Sequence, residues 1–267
     1  MHRKIRIAAQ CLTAALLLSA CAQQPTAAAA APLPELKIGS AVSAPYFYVG
    51  RDGSYTGVDK DIADEACARL GYTPVYVELV WGEESNYLSS GTVDCFWSCF
   101  SMLGREAQYQ WAGPYMESPE VVVVAADSNI KTADDLAGKT IAVRTASNVQ
   151  MYFVSLPADA QPAVVSTFSN IDDAFVTFGQ GFTHAVAGHK ATLQQYTSQQ
   201  PDLYRYLEPA LFTAELGVAF DKNYDADVVA ALDRTLAEMR SDGTIAAIAE
   251  RYGLSAADIG EAGNANE

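Results

Sequence analysis

Basic residues are scarce in this chain of 267 residues, which carries 17 Lys and Arg against 32 Asp and Glu and has a formal net charge of −15 at pH 7. Nucleic acids and anionic membrane surfaces attract positively charged proteins, so a strongly acidic chain is a poor candidate for either. The composition therefore predicts that the protein has no nucleic-acid partner.

Cysteine and histidine are also few, with five Cys and three His in the whole chain. The His residues are scattered and no CxxC or HxxxH spacing occurs, so we predict no metal site and no cofactor. If Cys95 and Cys99 share an extended strand, their Cα atoms are roughly 13 Å apart, which is too far for a disulfide. A Cys67–Cys95 bridge stays open on the sequence alone.

Long apolar runs are missing except near the N-terminus, where residues 7–20 follow a short basic segment. That run is too short for a spanning helix and ends in small residues, so residues 1–20 are predicted to be a signal peptide. Its removal takes away three basic residues and no acidic ones, which changes the net charge from −15 to −18. About 230 residues remain, enough for a sizeable core and two lobes.

The motif Leu18-Ser19-Ala20-Cys21 resembles the lipobox of bacterial lipoproteins, in which the Cys is lipidated and becomes the mature N-terminus. The residues that follow are rich in Ala, Pro and Gln without periodicity, which suits a tether. An ordinary signal peptide with a Cys near its cleavage site is the alternative. We predict a lipid-anchored linker over residues 21–34 and an extracytoplasmic protein held at the membrane, either in the periplasm or on the outer face.

Strand-like and helix-like segments alternate along the remaining chain, which is typical of an α/β fold. The predicted strands cover residues 36–40, 74–80, 95–100, 121–125, 140–143, 183–187 and 211–220. The predicted helices cover residues 59–70, 84–90, 132–136, 148–153 and 171–178, with two more between 227 and 252. Asp52-Gly53 is a hairpin signal.

The segment GTVDCFWSCFSMLGREAQYQWAGPY, residues 91–115, is the most informative stretch. Bulky residues give way to small hydroxyl and thiol residues at the end of a predicted strand, which leaves room there for a ligand. Arg105 follows, and a guanidinium presents a fixed fork of donors suited to a carboxylate. Strand ends in open α/β sheets are common ligand sites. The alternative interpretation of the same residues is a buried strand followed by a surface Arg.

Many short motifs, in this order and at nearly this spacing, resemble the family 3 extracellular solute-binding proteins, the receptors of polar amino-acid ABC importers. The motifs are Pro45-Tyr46-Phe47, Gly57-Val58-Asp59-Lys60-Asp61, Trp81, Gly91-Thr92-Val93-Asp94, Arg105, Gly113-Pro114-Tyr115, Asp134-Asp135-Leu136-Ala137-Gly138-Lys139, Glu215-Leu216-Gly217-Val218-Ala219 and Asp242-Gly243-Thr244-Ile245. The resemblance covers essentially all of residues 35–253.

The resemblance implies a two-lobe periplasmic binding protein type II fold whose hinge is two crossing strands. Lobe 1 is expected to combine residues 35–122 and 215–255, lobe 2 to cover 123–214, and residues 256–267 to form a flexible tail. A ligand closes such a cleft only through contacts that differ between the open and closed states, so both lobes are expected to touch it.

The resemblance also implies the ligand contacts. Arg105 is expected to clamp a carboxylate, helped by Ser147 and Asn148 at a helix N-terminus, where simple N-capping is the alternative. Phe47 and Trp81 are expected to pack on the ligand's body, although ordinary packing explains most aromatics. The remaining candidates are Ser98, Cys99 and Ser101, placed to within one position because the segment between Asp94 and Arg105 is one residue shorter than usual.

His189 marks a departure from the family pattern. Amino-acid binders normally carry an Asp here that pairs with the ligand's ammonium, whereas this chain reads GFTHAVAGH over residues 181–189. An acceptor carboxylate is thus replaced by a group that is neutral or cationic near neutral pH. Three readings stay open: His189 accepts from the amine, faces solvent, or marks a different ligand class.

We therefore predict a lipid-anchored receptor of an ABC importer that binds an amino acid or related small carboxylate. It is expected to be a monomer that contacts a transporter permease and to have no enzymatic activity. The alternative is an enzyme on the same fold, because a few relatives are dehydratases of cyclic carboxylates. His189 is then the one candidate acid or base, and no triad or paired-carboxylate arrangement is visible.

Overall fold

The computed structural model describes residues 32–260. The predictions for the signal peptide, for lipidation at Cys21 and for the last residues of the tail lie outside this range. Between residues 32 and 260, no helix is both long enough and apolar enough to cross a membrane.

Strands and helices alternate through the described residues, as expected. The strands are β1 (Glu35–Ser40), β2 (Tyr48–Val49), β3 (Tyr55–Thr56), β4 (Thr73–Glu78), β5 (Cys95–Phe96), β6 (Gln110–Ala125), β7 (Thr140–Arg144), β8 (Val164–Phe168), β9 (Ala185–His189), β10 (Tyr204–Tyr206) and β11 (Phe212–Phe220). The helices are α1 (Val58–Leu70), α2 (Glu84–Ser89), α3 (Asn148–Ser155), α4 (Ile171–Gly179), α5 (Lys190–Thr197), α6 (Ala226–Ser241) and α7 (Thr244–Arg251).

A nine-stranded sheet organises these elements, in the order β4-β1-β5-β11-β6-β9-β7-β8 with β10 paired to β6. Strands β4, β1 and β5 form one parallel group, and β9, β7 and β8 form a second. The antiparallel strands β11 and β6 join the two groups. Polar residues that follow the strands of either group can therefore meet at the edges of one cleft.

Strand β6 connects the two groups because it is long enough to pair with both. Its first part pairs with β11 as far as Glu120, and its second part pairs with β9 from Glu120 onwards. Glu120 is thus the residue of β6 that pairs with both strands, with Phe212 of β11 and with His189 of β9.

Local sequence signals account for several boundaries. Helix α1 buries Val58, Ile62 and Ala66 on one face and ends at Gly71, which has φ 74°, a left-handed conformation that favours glycine. The Asp52-Gly53 signal corresponds to the antiparallel pair β2–β3. The predicted strand over residues 95–100 is wrong beyond Phe96, because Cys99 has φ 42° and the chain turns there.

Four clusters of buried side chains form the core. The first contains residues of β1, β5, α1 and α6, and the second contains residues of β5, α2 and β11. The other two contain residues of β7 and β9 together with α3 or α4. This distribution agrees with a division into two lobes, whose boundaries stay a prediction.

The predicted start of the tail at residue 256 is wrong. Residues Ala256–Asp258 form a short 3-10 helix, Ile259 is buried in the core, and Asp258 Oδ1 accepts a hydrogen bond from Lys190 Nζ at 2.8 Å. Residues 256–260 therefore belong to the folded part of the chain.

Candidate functional site

A cavity of about 210 Å³ lies where loops of the first parallel group meet the ends of β7 and β9. Seven of the nine predicted binding residues line it. They are Trp81, Cys99, Ser101, Arg105, Ser147, Asn148 and His189. Residues separated by more than a hundred positions thus come together in one place.

Phe47 and Ser98 do not line this cavity. Phe47 is fully buried and stacks on Tyr55 with ring centroids 4.6 Å apart, while its neighbour Tyr48 faces the cavity instead. Ser98 Oγ donates to the carbonyl of Ala41 at 2.6 Å. Both side chains hold the surrounding loops in place, and we leave them out of the proposed ligand contacts.

Arg105 bridges the two sides of the cavity. Its Nη1 donates to Ser101 O at 3.2 Å and to Asn148 Oδ1, and its Nη2 donates to Ala146 O at 2.9 Å. The guanidinium also lies over the Phe100 ring, 4.9 Å from its centroid. Burial lowers the pKa of Arg105 from its ordinary value, yet an arginine remains cationic at neutral pH. Among residues 32–260 the guanidinium donates hydrogen bonds only to neutral acceptors, and the nearby Glu84 carboxylate raises its pKa electrostatically without forming an ion pair with it.

Ser147 and Asn148 begin helix α3, and both side chains have partners within the protein. Ser147 Oγ caps the helix by accepting from Gln150 N at 3.1 Å, which is the capping role considered above. Asn148 Nδ2 donates to Ser101 Oγ at 2.9 Å and to Leu103 O at 3.0 Å. Both residues line the wall of the cavity, and Asn148 also holds Arg105 through its Oδ1.

His189 pairs with Glu120, which lies directly opposite it on β6. His189 Nδ1 is 3.0 Å from Glu120 Oε1 and 3.0 Å from Ser118 Oγ. Burial lowers the pKa of His189, but the nearby Glu120 carboxylate and Cys99 thiol outweigh that effect and raise it to about 10. The imidazole is thus cationic at neutral pH and charge-balanced by Glu120.

Cys99 is held in a left-handed conformation by Asp59. Its backbone N–H donates to Asp59 Oδ2 at 2.5 Å, and Tyr115 OH donates to Asp59 Oδ1 at 2.9 Å. Burial raises the pKa of Asp59 to about 6. Cys67, Cys95 and Cys99 are all free, so the possible Cys67–Cys95 bridge does not form.

Arg144 is a second guanidinium in the cavity that sequence reasoning missed. It lies 4.0 Å from the centroid of the Trp81 ring, and Trp81 Nε1 donates to Thr145 O at 2.7 Å. The buried Nε of Arg144 has no hydrogen-bond partner within the described residues, and burial lowers the pKa of Arg144. A buried cation of this kind favours an anionic or acceptor group beside it.

Buried polar atoms without a partner concentrate at the cavity. Of the five found between residues 32 and 260, three belong to residues that line it. They are Glu120 Oε2, Arg144 Nε and Thr192 Oγ1. Buried polar groups are normally hydrogen-bonded, so these atoms indicate where a polar ligand is held.

Two local signals in the sequence point to the missed residues. Glu120 directly precedes a run of four Val, and an acid at the start of a buried strand needs a partner. Arg144 ends a strand of a parallel group, the position at which open α/β sheets bind ligands. Asp172, which accepts a hydrogen bond from Tyr196 OH and also lines the cavity, has no comparable signal.

Comparison with known proteins agrees with this fold. Residues 36–255 match the bacterial extracellular solute-binding proteins, family 3. The chain belongs to this family.

Individual relatives are distant but match over most of their length. A probable histidine-binding protein of Campylobacter jejuni is 25% identical over 82% of this chain and 85% of its own. The L-cystine-binding protein TcyJ of Escherichia coli is 25% identical, with 78% of each chain covered. A mutant of ArgBP from T. maritima superposes with a TM-score of 0.73 at 25% identity, covering 82% of this chain and 95% of that one.

The fold is therefore the mixed α/β periplasmic binding protein fold, as predicted. The matching family is described as solute-binding proteins, and the relatives named above are non-enzymatic binding proteins. The alternative of a dehydratase has no support among them.

Proposed function

We propose that this protein is the extracytoplasmic receptor of an ABC importer for an amino acid or a closely related small carboxylate. It binds the ligand between two lobes, and the closed form is what the permease recognises. The lipobox-like Leu18-Ser19-Ala20-Cys21 supports an anchor through a lipid on Cys21. The names of the relatives, which bind histidine and cystine, support the ligand class.

The observation that best supports this function is the arrangement of charge in the cavity. Arg105 and Arg144 present guanidinium groups with no carboxylate partner among the described residues. A ligand carboxylate beside them forms charge-assisted hydrogen bonds that replace the lost hydration of buried cations. Trp81, which packs on Arg144, covers the apolar side of such a ligand.

The size of the cavity agrees with this class. A volume of about 210 Å³ is below the range usual for drug-sized ligands, which starts near ~300 Å³. It suits a single small metabolite rather than a peptide or an oligosaccharide.

A thermal-shift screen of the full chain, purified in detergent, tests this proposal. The probes are the standard L-amino acids and L-cystine. A ligand at about a hundred times its Kd stabilises the folded state by roughly 2.7 kcal/mol.

Arg105→Lys is the diagnostic variant for any amino acid that binds. Lysine keeps the charge but cannot reproduce the planar set of donors that joins Ser101, Ala146 and Asn148, so affinity is expected to fall about tenfold or more. Calorimetry measures it. No stabilisation by any probe contradicts the proposed ligand class, and unchanged affinity in Arg105→Lys removes Arg105 from the site.

A further inference from the structure

Glu120 is a buried carboxylate with only one of its two oxygens partnered. The residue is 2% exposed, and Oε1 lies 3.0 Å from His189 Nδ1. Oε2 has no hydrogen-bond partner within residues 32–260, although Glu120 lines the cavity. Burying a carboxylate is costly unless all its lone pairs are engaged, so a ligand donor at Oε2 completes its surroundings.

His189 holds this carboxylate in a defined orientation. Ser118 Oγ lies 3.0 Å from His189 Nδ1 on one side and 3.0 Å from Tyr46 OH on the other. Ser118 and Tyr46 are both buried, and the Tyr46 ring contacts the imidazole edge-on with centroids 5.8 Å apart. A chain of buried hydrogen bonds thus fixes the imidazole, which in turn fixes Glu120.

The chemistry around Oε2 matches a primary ammonium. Such a group has three donors and no acceptor, and it pairs strongly with a carboxylate. Thr192 Oγ1 is a second buried atom that lines the cavity and has no partner in the described part of the chain. Its hydroxyl can accept a further donor of the same group.

We infer that Glu120 binds the ammonium group of the ligand and that His189 is the positioning residue that holds Glu120. This inference rests on the proposed function, since it presumes an amino-acid ligand. The carboxylate reaches the ligand from β6, while β9 contributes the imidazole at the cross-strand position. His189 is charge-balanced by Glu120, so it does not itself accept the ammonium.

Discrimination between an amino acid and the same acid without its α-amino group tests the inference. For L-histidine the matched probe is imidazolepropionate, and for L-arginine it is guanidinovalerate. Calorimetry on the full chain in detergent compares each binder found among the standard amino acids with its deamino analogue. Wild-type protein is expected to prefer the amino acid by about 30-fold or more.

Glu120→Gln removes the negative charge but keeps the shape and the Oε1 acceptor for His189. Its affinity for the amino acid is expected to fall about 30-fold or more, and its preference over the deamino analogue is expected to disappear. Glu117→Gln is the matched control, because Glu117 lies on the same strand and does not line the cavity. That control should keep the wild-type preference.

The double variant Glu120→Gln/His189→Asp moves the carboxylate to the opposite strand and is expected to restore the preference. Thermal unfolding of both variants is measured alongside binding. It shows whether a loss of affinity in Glu120→Gln comes from a fold defect. The inference is overturned if Glu120→Gln keeps the full preference for the amino acid over its deamino analogue. It is also overturned if the wild-type protein binds the deamino analogue as tightly as the amino acid. Wild-type protein that binds no amino acid defeats the proposed ligand class and the inference together.

Discussion

His189 shows how one neighbour changes the chemistry of a residue. An isolated imidazole titrates near ~6.5, and burial alone lowers its pKa because the charged form loses hydration. Here the Glu120 carboxylate and the Cys99 thiol outweigh burial and raise the pKa of His189 to about 10. The residue is therefore protonated throughout the physiological range, and it acts as a partner for Glu120.

The first prediction concerns pH. Because His189 stays protonated between about pH 5 and pH 8, affinity for the ligand should show no transition from His189 in that window. In Glu120→Gln the main source of the raised pKa is gone, so the imidazole should lose its proton within the window. Affinity of that variant for an amino acid should then rise with pH, because a neutral imidazole does not repel the ammonium. Calorimetry across this range measures both proteins.

A control is needed because Asp59, whose pKa is about 6, titrates in the same window. Asp59 does not line the cavity, but it is electrostatically coupled to His189, whose charge lowers the pKa of Asp59. In Asp59→Asn this carboxyl group is absent, so affinity for the ligand should show no transition between about pH 5 and pH 8. A transition near neutral pH that persists in Asp59→Asn contradicts the paired state of His189.

At the scale of elements, the start of helix α1 positions one wall of the cavity. Val58 N donates to Pro45 O at 2.9 Å and Asp59 N donates to Tyr46 O at 2.9 Å. These bonds use N–H groups that a helix N-terminus leaves free. The loop they hold carries Ser43 and Ala44, which line the cavity, and Tyr46, which contacts His189.

Gly57→Ala should disturb this junction. Gly57 has φ 131°, and a Cβ there would lie 2.1 Å from Tyr46 O. The substitution strains the backbone and also displaces the loop, and the two costs add. We therefore expect a loss of about 3 kcal/mol or more in the free energy of unfolding. Denaturant unfolding measures it.

Gly53→Ala is the matched comparison for that substitution. Gly53 also has a positive φ of 82°, but a Cβ there meets nothing within 4 Å. Only the conformational cost remains, about 1–2 kcal/mol. Equal losses of unfolding free energy in the two variants would show that the contact with Tyr46 O does not contribute to the cost of Gly57→Ala.

At the scale of the whole molecule, several contacts join the two proposed lobes around the cavity. Trp81 Nε1 donates to Thr145 O, and Arg105 donates to Ala146 O and to Asn148 Oδ1. Arg105 and Trp81 also line the cavity. If the lobes close on a ligand as proposed, ligand binding and lobe closure involve the same side chains.

The last prediction concerns attachment to the membrane. Cys21→Ser should release the protein from membranes while leaving its thermal unfolding unchanged, because the proposed lipid on Cys21 is the anchor and residues 32–260 contain no spanning helix. Membrane fractionation of cells measures the distribution. Retention of the variant in the membrane fraction contradicts the lipid anchor.

Local periodicity determined much of this protein. Helix and strand patterns depend on neighbours in the chain, so the α/β alternation and the approximate bounds of α1, α4 and β7 could be predicted from the sequence. Local signals also placed Arg105 after a strand end and Ser147 at a helix N-terminus, but the resemblance to the family was needed to assign both residues to the site. Phe47 was misplaced because alternation does not tell which of two adjacent aromatics faces the core.

Only the tertiary structure decided the chemistry of the cavity. Glu120 and His189 are far apart in the chain, and their pairing depends on the register between β6 and β9. A shift of one residue in that register would turn either side chain to the other face of the sheet. The burial that leaves Glu120 Oε2 and Arg144 Nε without partners among residues 32–260 also arises from packing between distant elements. No local pattern carries that information, because it is a property of contacts and not of spacing.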